Sequence, residues 1–422
     1  MINMLYNIVD RIYIGHIPGN GSLALTGVGI CMPLIMIISA FAALVGNGGA
    51  PRASILMGKG DKAKAEKILG NCFTTQLIIS VILTVVMYFF NRPMLLAFGA
   101  STNTIDYAVS YMNIYAIGTL FVQLTLGMNT FITAQGFAKT GMLSVLIGAV
   151  VNIVLDPVFI FALNMGAAGA ALATIISQAV SGILCLVRLL LMRDVLHITW
   201  RTLWPTKALL FQLIRLGLPS GLTQAVFSLA MLVVQSLTNS FGTTIIAVST
   251  VVMRVDGFAM MPNFTFGTAT TTFTGQNIGA GRLDRVEKGT KDGLKLGLSV
   301  SVVLVALILF FGRYLMEMFT STPEVIDTGM HMMRILAIGY VAMAVTQILS
   351  GVMRGAGDTM TPMWISLITT IVIRVPIAYG LAALMHSADA LFISLLISWV
   401  MGAVLTSIAF RMGRWKKKSI IN

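Results

Sequence analysis

"FGASTNTIDYAVSYMNIYAIG" (residues 98–118) and "FTSTPEVIDTGMHMMRILAIG" (residues 319–339) align without a gap at a spacing of 221 residues. Each opens on a polar break, passes an Ile-Asp pair and closes on Ala-Ile-Gly. At the same spacing Gly58, Gly60, Glu66 and Lys67 meet Gly279, Gly281, Glu287 and Lys288. Gly136 and Thr140 likewise meet Gly357 and Thr361. The chain is therefore two like halves in the same order, and composition says what kind of halves they are.

Of 422 residues, 57% are hydrophobic and 10% are charged, where a soluble globular protein carries about 25% charged residues. With a mean hydropathy of +0.90 this is an all-α polytopic membrane protein. Cys31, Cys72 and Cys185 are odd in number, lie in apolar segments and share no metal-ligand spacing. His16, His197, His331 and His386 are scattered, so neither a zinc site nor a cofactor is expected. "GKGDK" at 58–62 follows no strand pattern and is a helix end with a basic loop, not a phosphate cradle. The first residues, "MINMLYNIVDRIYIGH", lack the basic start and cleavage site of a signal peptide.

A spanning helix needs about 20 mostly apolar residues. Apolar runs place spans near 1–14, 23–49, 68–90, 105–136, 140–163 and 166–192 in the first half. Those of the second lie near 210–240, 243–274, 294–312, 325–353, 361–385 and 389–410. The expectation is twelve transmembrane helices in two six-helix lobes related by a parallel internal repeat. The first span is too short, and roughly ten to twenty residues of it are expected to be missing. The lobes are expected at 1–192 and 211–410, joined by a cytoplasmic linker at 193–210 and followed by a basic tail at 411–422.

Lysine and arginine concentrate in the loops 51–67, 188–215 and 276–295 and in the tail. All four fall on one side of a twelve-span arrangement, and Arg92 and Arg313 alone lie in loops on the other. Positive loops face the cytoplasm, so both termini are expected there, in a cell (inner) membrane. This bias accounts for the net charge of +13 without nucleic acid as a partner.

"NIVLDPVFIF" (152–161) places a carboxylate, Asp156, inside an apolar stretch. A charged side chain at the bilayer centre costs about 2.5–3.5 kcal/mol on insertion scales, so such a residue points to function. Asn152 precedes Asp156 by four residues and shares its helix face. Pro157 cannot donate to the carbonyl of Ile153, which adds a third oxygen to that turn. On the next helix Thr174 and Gln178 are also four apart and are placed to close the niche. Asp10 stands at a comparable depth in the first helix. Such an oxygen-rich niche suits a proton or a small hard cation such as Na⁺, held by Asp10, Asn152, Asp156 and Thr174. In the second half Ile373 and Ile377 occupy the positions of Asn152 and Asp156, so this chemistry belongs to the first half alone. Arg254, Asp256, Arg334 and Arg374 are the remaining intramembrane charges, with structural roles as plausible as functional ones.

"LYNIVDRIYIGHI" (5–17), "APRASILMGKGDKAKAEKILG" (50–70), "NIVLDPVFIF" (152–161), "TGQNIGAGR" (274–282) and "GVMRGAGDTMTPM" (351–363) resemble the multidrug and toxic compound extrusion (MATE) family, in its bacterial branch with coupling in the first lobe. The resemblance implies a non-enzymatic secondary transporter of two six-helix lobes that exports amphiphilic, often cationic compounds against H⁺ or Na⁺. It implies cation-coupling roles for Asp10, Asn152, Asp156 and Thr174, with Asn129 and the carbonyl of Ala170 beside them. It also implies Tyr6 and Tyr111 as substrate-contacting residues, to which Gln178 is added from its position on the sixth helix. Small molecules, H⁺ or Na⁺ and the bilayer are the expected partners of what is expected to be a monomer. A lipid-linked sugar flippase of the same superfamily is the alternative, which would require basic residues lining a cavity. A membrane enzyme acting on lipid would require clustered His, Cys or paired acids at one surface, and none stand out.

Overall fold

The computed structural model describes residues 2–191, 196–317, 320 and 322–418, without the side chains of residues 2–8, 228, 232, 417 and 418. Among these residues the chain is helical, with no strand. The first half comprises α1 (Ile2–Gly15), α2 (Gly21–Gly58), α3 (Lys62–Ala97), the bent pair α4 (Ile105–Ile117) and α5 (Thr119–Ala134), α6 (Ala138–Ala162) and α7 (Gly166–Leu191). The second comprises α8 (Lys207–Ser240), α9 (Thr243–Gly279), α10 (Leu283–Glu317), α11 (Pro323–Gly355), α12 (Met360–Met385), α13 (Asp389–Arg411) and α14 (Arg414–Lys418).

Among the described residues ten helices are long and apolar enough to cross a membrane, and the α4/α5 pair counts as an eleventh if it is one span. At 14 residues α1 is too short to be counted with them. Several helices outrun the expected spans: α3 and α10 begin at Lys62 and Leu283, well before the apolar stretches. Lysine and glutamate are good helix formers, so these helices continue past the apolar layer, where hydropathy no longer follows them.

The expected single span 105–136 is instead bent by 62°. The bend falls at Gly118, where a Cβ would lie 2.3 Å from the Ile175 side chain of α7. Gly339 ends the same Ala-Ile-Gly motif in the second half, yet α11 runs through it unbroken. A π-helical turn at Leu124–Met128 follows the bend.

Backbone and side chains bear out the repeat. Gly60 and Gly281 take φ of 77° and 71°, and Gly136 and Gly357 take 91° and 88°. These left-handed residues follow helix ends at equivalent places, a conformation that L side chains adopt at a cost. Arg92 reaches Asp106 at 3.4 Å, and their counterparts Arg313 and Asp327 meet at 3.2 Å. Both pairs are exposed and contribute little energy. They do explain the two arginines that the loop-charge pattern left on the other side. Phe89 and Phe90 are 70% and 56% exposed, and their counterparts Phe310 and Phe311 are 82% and 54% exposed. Large apolar side chains turned outward along spanning helices are lipid-facing.

Contacts divide the chain into two units, Met1–Ser54 with Asp61–Gly221 and Ile55–Gly60 with Leu222–Asn422. The first packs around Ile14, Leu34, Ile38, Met112, Tyr115 and Ile175. The second packs around Val248, Val252, Met316, Met333, Leu336 and Tyr340.

The described part of the linker is strapped to the first unit. Asn71 of α3 donates to the carbonyls of Thr202 and Trp204, both at 3.3 Å, and accepts from the Thr206 N–H at 2.8 Å. Thr74 donates to the Leu203 carbonyl at 2.6 Å, and His197 lies 2.7 Å from Glu66. One buried amide thus serves three backbone groups of the linker, besides the Lys67 carbonyl of its own helix. Asn71→Ala is expected to cost about 1–3 kcal/mol by stranding them, read as a lowered Tm of the detergent-purified protein. An unchanged Tm would show that the strap adds nothing to stability.

The tail is more than a cluster of positive charges. Trp415 is 1% exposed, within a core formed by Ile278, Val286, Val352, Met353 and Ala356. Its indole donates to the Phe410 carbonyl at 3.0 Å and stacks on the Phe410 ring at 5.2 Å. Lys416 meanwhile pairs with Glu287 and holds that carboxyl below its usual range. Trp415→Ala is expected to cost about 3–5 kcal/mol in transfer and cavity terms, with Trp415→Phe recovering much of it. Thermal unfolding of the two variants checks this, and equal values would discount the burial.

Candidate functional site

Three helices of the first unit bring the singled-out acids together. Asp10 lies on α1 four residues before Ile14, which is buried in the core, so the face that packs inward also carries the acid. Asn152 and Asp156 are one turn apart on α6, and both are 0% exposed. Thr174 reaches Asp10 from α7, where Ala167, Ala170, Ala171 and Ala173 are all buried. Such small residues let neighbouring helices approach closely. The turn between α6 and α7 has its own local cause. Pro157 ends the regular helix, a π-turn follows at Val158–Ala162, and Asn164 and Gly166 take φ of 52° and 57°. Gly169 then passes so close to the Phe159 carbonyl that a Cβ would lie 2.7 Å from it.

The Thr174 hydroxyl donates to Asp10 Oδ2 at 3.3 Å, and the Asn152 amide donates to Asp156 Oδ1 at 3.4 Å. The Asp10 carboxyl also lies within hydrogen-bonding reach of Asp156 and Asn152. Asp10 Oδ1, Asp156 Oδ2 and the Asn152 amide oxygen are buried with no hydrogen-bond donor. Three unsatisfied oxygens thus surround two carboxyls. Arg11 is the base that acts on Asp10, but it is exposed and one residue along the helix, off the acid's face. Two ionised carboxylates about 4 Å apart repel by roughly 4 kcal/mol at an effective dielectric of 20. That exceeds what either long hydrogen bond returns. The pair therefore calls for one added positive charge, either a proton shared between the acids or a small cation among the oxygens.

The other expected residues fall around this centre unevenly. Tyr111 of α4 is buried, its hydroxyl within reach of Thr174, and its ring stacks on Tyr115 at 6.1 Å. Ala170 is buried one turn before Thr174. Gln178 is buried one turn after it, and its backbone carbonyl accepts from Thr125 of α5 at 2.9 Å. Asn129 is not brought to the acids. Its amide donates to the Gly141 carbonyl at 3.3 Å, eleven residues and roughly 16 Å along α6 from Asn152. Tyr6 lies in α1, but its side chain is outside the described residues. Tyr115 was not singled out, and its four-residue spacing from Tyr111 was the available signal. Nor was Tyr340, whose hydroxyl donates to Asp256 in the second unit. No spacing signal links those two, because they lie on different helices.

A family profile described as MatE matches residues 1–158 and 219–380. The chain is 28% identical over 418 residues to the probable multidrug resistance protein YpnP of Bacillus subtilis, covering 98% of this chain and 92% of that one. It is 23% identical over 427 residues to the probable multidrug resistance protein NorM of Thermotoga maritima, covering 100% of this chain and 91% of the relative. A solved MOP superfamily transporter from Pyrococcus furiosus superimposes with a TM-score of 0.92 at 26% identity, over 99% of this chain and 93% of that one. With its sequence matched in both halves and its helices superimposed almost end to end, this multi-pass membrane chain belongs to the MatE family of transporters.

Proposed function

We propose that the protein is a cation-coupled antiporter that exports amphiphilic, often cationic, toxic compounds by alternating access. The Asp10–Asp156 pair carries this reading: it is dry, and among the described residues neither acid forms an ion pair. In this scheme Asp10, Asn152, Asp156 and Thr174 take up H⁺ or Na⁺ from outside, α1 and α6 close on the ion, and the substrate is released. Loss of the ion to the cytoplasm resets the carrier. The lobes 1–192 and 211–410 are the bodies that exchange access, with both termini in the cytoplasm. Tyr111 and Gln178 border the ion site and are the proposed substrate contacts, together with Tyr6. The membrane potential supplies about 2.3 kcal/mol per charge per 100 mV, so one ion per turn drives useful accumulation. Names of relatives that include multidrug resistance proteins support the substrate class.

The test is efflux of a fluorescent organic cation from proteoliposomes with the pH and sodium gradients imposed one at a time. Export driven by either gradient and collapsed by its dissipation is the expected result. Equal dye movement with no gradient would mark a passive path and overturn the proposal.

A further inference from the structure

The second unit holds a charged group that the coupling scheme does not use. Asp256 of α9 accepts a hydrogen bond from the hydroxyl of Tyr340 on α11. Tyr340 is held at two further points. Its carbonyl accepts from Asn263 at 3.1 Å, whose own amide oxygen accepts from Ser301 at 2.8 Å, and its ring packs on Trp399 at 5.8 Å. The hydroxyl is thus aimed by the fold, and with it one oxygen of Asp256. Arg374 ends the π-helical turn Ile368–Arg374 in α12 and is 8% exposed. Its Nε is buried with no hydrogen-bond partner. Asp256 and Arg374 act on each other electrostatically but do not close an ion pair. At the repeat spacing the three correspond to Ile35, Thr119 and Ile153, so the charges are peculiar to the second half.

A carboxylate inside a bilayer is costly to keep, and so is a guanidinium. Were their only task to neutralise each other, direct contact would serve best, because the attraction of opposite charges falls with distance. Here the acid is left partly unmet. Asp256 keeps some exposure, whereas Arg374 is buried. A bare metal ion is a poor match, since a single carboxylate replaces few of its water ligands and the guanidinium opposes it. An organic cation spreads its charge over carbon and needs no complete oxygen shell.

We infer that Asp256, oriented by Tyr340, is a charge-selecting subsite that accepts the cationic centre of an exported amphiphile, while Arg374 balances the acid between turns. This rests on the export reading above and adds a residue in the second unit to it.

Ethidium serves as the probe, with binding measured by fluorescence anisotropy in detergent without any gradient, and export measured in proteoliposomes. Asp256→Asn is expected to raise the ethidium Kd and the export KM at least tenfold while kcat stays within twofold, and Asp256→Glu should restore most of both. Tyr340→Phe should give a smaller rise in the same direction. Because Asp256→Asn strands Arg374, the charge-neutral pair Asp256→Asn with Arg374→Gln is measured beside it and should fold normally with the same weakened binding. Unchanged Kd in the folded double variant would overturn the inference, as would loss of kcat at constant KM, which marks a structural role. Wild-type protein that binds ethidium through Asp256 but exports none under either gradient would sink the export reading and leave the subsite standing.

Discussion

Asp156→Asn is expected to abolish gradient-driven export, lowering the initial rate at least a hundredfold while expression and thermal stability stay near wild type. The side chain keeps its shape, its enclosure and one acceptor oxygen, so the packing of α6 against α7 has no reason to change. What disappears is the negative charge. With Asp10 alone, the site needs no cation to separate two acids, and the repulsion that makes uptake favourable is gone. Efflux under imposed pH and sodium gradients measures the effect, beside a sizing profile that verifies folding. Coupled export surviving within a few-fold of wild type would remove Asp156 from the mechanism.

Asp10→Lys tests the same charge logic from the opposite side. An ammonium tethered on α1 would sit where an ion belongs, beside Asp156 and the unpaired oxygens of Asn152 and Asp156. A direct ion pair there supplies the missing positive charge permanently, so the site no longer gains or loses it. The variant is expected to fold, to resist heat at least as well as Asp10→Asn, and to export nothing under any gradient. Asp10→Asn only removes a like charge beside Asp156, whereas Asp10→Lys adds an opposite one, which is why the lysine is expected to be at least as well tolerated. Export at the wild-type rate from Asp10→Lys would show that cyclic occupancy of this site is not what drives the carrier.

The repeat and the helices were readable from the chain because both are properties of segments. Hydropathy reports whether about twenty consecutive residues avoid water, and the spacing of 221 residues aligns glycines that later prove left-handed in both halves. The Asn152–Asp156 face was readable for the same reason, since four residues make one turn. Asp10 was readable from its depth, Thr174 from its four-residue spacing to Gln178 on the next helix, and Asn129 from resemblance alone. The structure brings Asp10 to Asp156 and Thr174 to Asp10, and leaves Asn129 at Gly141. Which helix lies beside which is set by side-to-side packing of residues far apart in the chain. Apolar periodicity carries no record of that when lipid and protein neighbours are equally apolar.

By itself, the amino-acid sequence determined that this is a two-fold repeated membrane bundle with an acid buried in its first half, because burying backbone and charge in lipid restricts each segment severely. Only the tertiary structure decided that α1, α6 and α7 converge on two buried carboxyls. The same packing decided that Gly118 bends its helix where Gly339 does not, that Trp415 closes a core, and that Asp256 faces Tyr340. Each of those depends on contacts between distant residues, whose energies exist only once the helices have packed.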